Sequence, residues 1–251
     1  MIQHYRCLLA EFKKRKRSLF LLLHLFTPLT ISGILVMYIA VRKDFINPQA
    51  LYGLFFELLG IGTPLIIAII CGVVSDSEEE AGHFQNMLRL TKRKAITFSS
   101  QISMMIVSYG FAILLAISLY TFALAYLVRV AEINIAHYYL TGMVFIICGV
   151  FQYFLYLMIG YKYGIGMCSI AGFAGLIIAA LSQTSVVDKV WIFLPWSWPN
   201  RFSTHLFSQS ILVDKYTSVL KGSVTAFIIT LSVIVISILW FKNWDGRKAS
   251  Y

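Results

Sequence analysis

Hydrophobic residues in this chain gather into long unbroken runs rather than amphipathic stripes. Six runs stand out, at about 19–41, 51–74, 98–127, 138–160, 164–181 and 222–241. A hydrocarbon core about 30 Å thick takes about 20 apolar residues as a helix, and each run is near that length. Glu57 is the single acid inside a run, and no Lys or Arg lies deep in one. A charge at mid-bilayer costs about 2.5–3.5 kcal/mol on insertion scales, so this sparing use of charge fits spans. Barrel strands would alternate and run about 10 residues, which these segments do not do. The pattern therefore predicts an all-α integral membrane protein with six transmembrane helices in one domain, 1–251. The fifth run is short and glycine-rich, and predicts a span that tilts, packs deep or continues into 182–190.

Composition sharpens this. Hydrophobic residues make up 59% of the 251 and charged residues only 13%. A soluble domain carries about twice that share of charge. The net charge of +10 comes from Lys and Arg in the connections. With the first segment inside, 14 of the 21 basic residues fall in 1–18, 75–97, 161–163 and 242–251, and 7 in 42–50, 128–137 and 182–221. By the positive-inside rule both ends are then cytoplasmic. Because the basic residues are split among membrane-flanking loops, they imply lipid headgroups as partners rather than nucleic acid. No cleavage site of the A-x-A kind follows the first run, which reads as an uncleaved anchor. Cys7, Cys71, Cys148 and Cys168 lack C-x-x-C spacing and are expected as free thiols.

The segment before the first run places Tyr5, Leu8, Leu9 and Phe12 on one stripe, followed by Lys13 to Arg17. That is the pattern of an amphipathic helix on the inner leaflet; a plain stop-transfer flank is the alternative. The connection 75–97 runs from Glu78-Glu79-Glu80 to Arg89, Lys92, Arg93 and Lys94, with Ala81, Phe84 and Leu88 between. Ser77 and Glu80 have capping-box spacing, and the charges suit a helix with its N-terminus at the glutamates. The segment predicts a short cytoplasmic helix, either a solvated loop element or a surface that a partner grips. The long connection 182–221 holds Trp191, Trp196 and Trp198 with Pro195 and Pro199. The prolines oppose a continuous helix. The tryptophans mark an interfacial belt or a surface for an amphipathic substrate. Ala171, Gly175 and Ala179 recur every fourth residue, as do Gly160 and Gly164, spacing that lets helices approach closely. Glu57 is shallow enough to pair with Arg42 or Lys43; a substrate or proton role is the other reading. His24 reads as a packed or interfacial histidine.

Catalytic and metal-binding patterns are missing from the sequence: there is no phosphate-cradling G-x-x-x-x-G-K-[ST], no H-E-x-x-H, no G-x-S-x-G and no His/Cys cluster. A non-enzymatic transport subunit is expected.

The chain resembles the permease subunits of type-2 ABC exporters, and among them the lantibiotic immunity permeases, closer to their G-type than their E-type subunits. The resemblance runs over the whole length. It is carried by the basic first helix, by Leu23-His-Leu-Phe-Thr-Pro28, and by Leu194-Pro-Trp-Ser-Trp-Pro199. Its most specific part is Glu78-Glu-Glu-Ala-Gly-His-Phe-Gln-Asn-Met-Leu88, directly after the second run. It implies a bacterial cytoplasmic-membrane protein with a coupling helix in which Glu78, Glu79, Glu80, Ala81, Phe84, Gln85 and Leu88 dock a separate ATPase. Mg-ATP would sit on that ATPase and no cofactor on this chain. A second permease chain, sibling or identical, would complete the channel. The cargo would be a cationic amphipathic peptide expelled from the membrane, with Trp191, Trp196, Trp198 and Glu57 as possible contacts. Another cargo, or a non-transport membrane sensor or assembly factor, is the alternative.

Overall fold

The computed structural model describes residues 2–42, 47–89, 93–130, 133–207 and 213–247. Among the described residues there are helices and turns and no strand. The helices are α1 (Ile2–Lys14), α2 (Leu19–Val41), α3 (Pro48–Glu80), α4 (Gln85–Arg89), α5 (Lys94–Ala123), α6 (Ile135–Leu181), α7 (Trp198–Phe207) and α8 (Val213–Lys242). Helices α2, α3, α5, α6 and α8 are each long and apolar enough to cross a membrane. The protein is thus an all-α, multi-pass membrane protein.

Local chemistry sets the helix starts. Asn47 accepts a hydrogen bond from the Gln49 amide, and Pro48 occupies the first helical position of α3, where its missing N–H costs nothing. Asn134 caps α6 through the His137 amide at 3.2 Å. Helix α5 ends in a single π-helical turn, Leu124–Val128, closed by Arg129 in the left-handed conformation (φ 60°).

The predicted runs 138–160 and 164–181 both fall on α6, whose 47 residues would extend about 70 Å if straight. It is not straight. Gly164 has φ 85° and ψ 179°, a region that only glycine occupies readily. Beyond it the chain doubles back: Cys168 Sγ lies 3.3 Å from the Tyr156 carbonyl, and the Tyr156 hydroxyl lies 3.5 Å from the Ala171 carbonyl. In a straight helix residues 156 and 168 would be about 18 Å apart. The two arms, 135–163 and 165–181, form a hairpin with one residue at its apex.

Helix α3 is the central element, and both arms pack on it. The first arm runs parallel to it, pairing Tyr52 with Thr141 and Phe56 with Phe145, and Cys71 near its far end with Tyr153. The second arm runs antiparallel to it. A Cβ on Gly172 would stand 2.3 Å from the Ala68 Cβ, and one on Gly72 would stand 2.6 Å from the Ile165 side chain. Packing this tight between helices needs small residues. The stripe Ala171, Gly175, Ala179 serves the same end within the chain: Gly175 faces Tyr156 and Trp196, and Ala179 is buried. All four cysteines are free thiols and buried.

Candidate functional site

The described end of the bundle where α3 finishes is rich in charge, and its centre is buried. Helix α3 continues through Glu80, so Glu78, Glu79 and Glu80 form its last turn. This reverses the expected geometry. The capping-box reading placed these glutamates at a helix N-terminus, where the macrodipole favours them, whereas a C-terminal turn disfavours them. Ser77 caps nothing, and its hydroxyl donates back to the Val74 carbonyl at 2.8 Å.

Cations from distant segments offset the mismatch. Glu78 is 1% exposed. It is paired with Lys14 and with Arg15, the latter at 2.5 Å. Gln101 on α5 donates to it at 3.1 Å. The other guanidinium nitrogen of Arg15 donates to Ser77, and the Tyr161 hydroxyl donates to the Gln101 carbonyl oxygen. Glu79 is held by Arg247, whose guanidinium also reaches the Gly160 carbonyl at 2.9 Å and Ser75 Oγ at 3.3 Å. A charge as deep as that of Glu78 is costly unless paired and hydrogen-bonded, and Glu78 is both; the Glu79–Arg247 pair lies nearer the surface, and Arg15 Nε has no partner among the described residues.

Helix α1 enters the cluster by its polar side. Cys7, Glu11 and Arg15, spaced by four, are buried, while Tyr5, Leu9 and Phe12 of the apolar stripe are exposed and Leu8 is partly buried. The helix is thus amphipathic as read, with its polar face towards the protein. Burial raises the Glu11 carboxyl above its ordinary value; Lys14 draws it down, Glu78 pushes it up again, and Arg15 and Gln101 lower it. Burial, helped by Glu11, also raises the Cys7 thiol.

Between α3 and α4 the chain makes a tight turn. Gly82, His83 and Phe84 have φ of 131°, 48° and 65°, and the amides of His83 and Phe84 donate to the Glu79 and Glu78 carbonyls. Positive φ at two non-glycine residues is strain that the surroundings must hold in place. The Phe84 ring supplies the hold. It is 1% exposed, edge-on to Trp244 at 4.9 Å and Tyr161 at 5.5 Å, with the Arg247 guanidinium 5.6 Å from its centre. Residues 243–247 cross beneath the turn, tied by Lys94 to the Trp244 carbonyl and the Asp245 carboxylate.

The proposed docking residues therefore separate. Glu80, Ala81 and Gln85 are exposed and Leu88 is half-buried. Glu78 and Phe84 are interior, so a partner at this turn meets the exposed set. The expected helix shrinks to Gln85–Arg89; Lys92, assigned to its basic tail, lies outside the described residues.

At the opposite end, Trp191 and Trp198 are buried and Trp196 is half-buried. They pack inward: Trp196 Nε1 donates to the Tyr156 hydroxyl at 2.7 Å, and Phe151 meets both Trp196 and Trp198 edge-on. The segment forms three 3-10 turns before α7; Pro195 opens the third, and Pro199 lies in the first turn of α7. Its exposed apolar residues are Val186, Val190 and Phe193, beside the polar Ser185, Asp188 and Lys189, rather than the tryptophans. Glu57 is exposed on α3 and makes no ion pair among the described residues; Arg42 instead lies over the Tyr38 ring, and Lys43 is outside the described residues.

Neither the protein-family models nor the curated proteins contain a match to this sequence.

Sequence reasoning missed the partners of the glutamates. Arg15 and Arg247 lie 63 and 168 residues from Glu78 and Glu79, and no local spacing announces such pairs.

Proposed function

We propose that the chain is the membrane permease subunit of an ABC exporter, crossing a bacterial cytoplasmic membrane six times and driven by a separate ATPase. A lantibiotic-like peptide, cationic and amphipathic, would be the cargo, expelled outward to give self-immunity. A second permease chain completes the pathway. The exposed residues Glu80, Ala81 and Gln85, with half-buried Leu88 beside them, are where the ATPase binds.

One observation carries this reading. The exposed turn is the outer edge of a buried ionic cluster that joins α1, the end of α3, α5, the first arm of α6 and residues 243–247. Moving the end of α3 alone would pull Glu78 from Lys14 and Arg15 and Glu79 from Arg247, and Gln101 and Tyr161 tie α5 and α6 to the same network, so a force applied there is shared among the helices. That is the mechanical property a coupling element needs. The chain carries no phosphate-binding loop of its own, so the force would come from a partner whose nucleotide cycle shifts the population of two conformations. The hairpin at Gly164 supports six crossings. Trp244 against Phe84 puts both at one end of the bundle, which requires an even number of crossings between them. The excess of basic residues near that end supports its cytoplasmic placement.

The test is co-expression with the ATPase and sibling permease. Gln85→Asp and Glu80→Lys, both at exposed positions, should leave the amount of protein in the membrane unchanged, lower co-purified ATPase at least tenfold, and abolish peptide resistance. If ATPase binding and resistance both persist in these variants, the docking turn is wrong. If the assembly forms but never raises survival against lantibiotics, the cargo is wrong and the exporter architecture stands.

A further inference from the structure

The basic run that ends α1 is divided in two. Lys13 to Arg17 are consecutive, yet only two of them turn inward. Arg15 is buried against Ser77 and Glu78, and Lys14 pairs with Glu78 while its side chain stays 35% exposed. Lys13, Lys16 and Arg17 are exposed and make no ion pair among the described residues. The turn that leaves the helix keeps them together: the Lys16 amide donates to the Lys13 carbonyl at 3.4 Å and the Ser18 amide to the Arg15 carbonyl at 3.2 Å. Arg6, about two turns back from Lys13, is exposed as well. The one acid in this stretch, Glu11, is buried on the protein-facing side. The outward surface of 2–18 therefore carries positive charge and no negative charge.

The apolar stripe lies on that same outward surface. Tyr5 is 61% exposed, Leu9 42% and Phe12 37%. Residues 15–18 alone separate α1 from α2, where Leu19, Leu22, Leu25, Phe26 and Leu29 are exposed along a helix long enough to cross a membrane. Lipid meets that face of α2, and the short connection brings α1 to the bilayer surface beside it. An apolar face flanked by cations is how an interfacial helix seats in a leaflet. Because the polar side of α1 is taken up by the protein, the helix is clasped between the bundle and the lipid. Charge then selects the lipid: unpaired cations with no acid beside them attract anionic headgroups over zwitterionic ones. A soluble acidic partner would match the cations but not the bare Tyr5, Leu9 and Phe12.

We propose that Lys13, Lys16 and Arg17 form a binding site for anionic phospholipid headgroups, with Tyr5, Leu9 and Phe12 seated among the acyl chains of the same leaflet. The site does not depend on the export reading. It bears on the buried cluster, because Lys14 and Arg15 of the same turn hold Glu78. A lipid that binds the docked helix and not the released one stabilises the docked form.

The test places the purified full chain in phosphatidylcholine nanodiscs with a trace of diazirine-tailed lipid, either phosphatidylglycerol or phosphatidylcholine. Labelled residues are read by mass spectrometry. Phosphatidylglycerol should label α1 about fivefold more than phosphatidylcholine, and high salt should erase the difference. Lys13→Gln/Lys16→Gln/Arg17→Gln should remove the preference and leave labelling by phosphatidylcholine unchanged. Lys162→Gln/Lys242→Gln, which neutralises two exposed cations elsewhere, should keep it. Thermal transitions unchanged in pure phosphatidylcholine show that both variants fold. Bulk phosphatidylglycerol should raise the transition of the native chain and not that of the triple variant. Equal labelling of α1 by the two lipids, a preference that survives the triple substitution or is lost as fully in the control, or no labelling of α1 would each overturn the site, the last by leaving the stripe to a soluble partner. A labelling preference with no thermal rise would overturn its link to the docked helix.

Discussion

Single residues at the charged end differ sharply in what they hold. The Glu78 side chain is fully buried between Lys14 and Arg15, whereas Asp188, 2.7 Å from Arg201, is about half exposed. Glu78→Gln removes the ion-pair partner of the nearly buried Arg15 and should destabilise the protein by about 3–5 kcal/mol. Asp188→Asn removes a solvent-screened pair and should cost at most about 1 kcal/mol. Thermal unfolding of the two variants in one detergent checks the contrast, and equal transition temperatures would contradict the buried cluster. Phe84 belongs with Glu78. Its ring is enclosed by Trp244, Tyr161 and Arg247, so a charge placed there breaks the turn from inside and says nothing about docking. Residue types alone do not reveal this. Glu78 to Glu80 and Phe84 to Leu88 read from sequence as one surface, because solvent-facing and core-facing carboxylates look alike until their partners are known.

Helices show a different balance between what is written locally and what depends on contacts. The long apolar runs match α2 at both ends and α5 within about four residues, since hydrocarbon-length stretches need no tertiary information, but they fall short of the start of α8 at Val213 and of the end of α3 at Glu80. The end of α3 was misplaced for a physical reason. Apolar patterning stops near Val74, yet the helix continues through Ser75–Glu80 because remote arginines and a lysine neutralise its acidic last turn. The break in α6 was legible as two runs around Lys162, although its sharpness was not. A one-residue apex is possible only because Gly164 takes a φ of 85° and leaves room for Arg247, whose Nη1 would lie 3.3 Å from an added Cβ. Gly164→Ala should therefore lower stability by about 1–3 kcal/mol, with its transition temperature below that of the exposed-face control Gly166→Ala, where a Cβ meets nothing within 4 Å. Equal behaviour of the two variants would mean that the apex is not strained as described.

At the scale of the molecule, the hairpin decides on which side of the membrane the tryptophan-rich segment lies. If α6 crosses twice, residues 185–198 and the turn at 81–84 face opposite sides; a single long α6 would put them on the same side. Cysteine at Asp188 and cysteine at His83, both in exposed positions, report this directly. The four native thiols are buried and react slowly with a charged maleimide, so the signal belongs to the introduced residue. In intact cells Asp188→Cys should label and His83→Cys should not, and in inverted vesicles the pattern should reverse. The two sites labelling together from either side would straighten α6 and leave five crossings. It would also separate Trp244 from Phe84 across the bilayer, since an odd number of spans would then lie between them. Glu78 could still meet Lys14 and Arg15 in such a chain, but Arg247 could not reach Glu79 nor Trp244 reach Phe84, so this one labelling experiment tests the topology and the tie of the C-terminal residues to the coupling turn together.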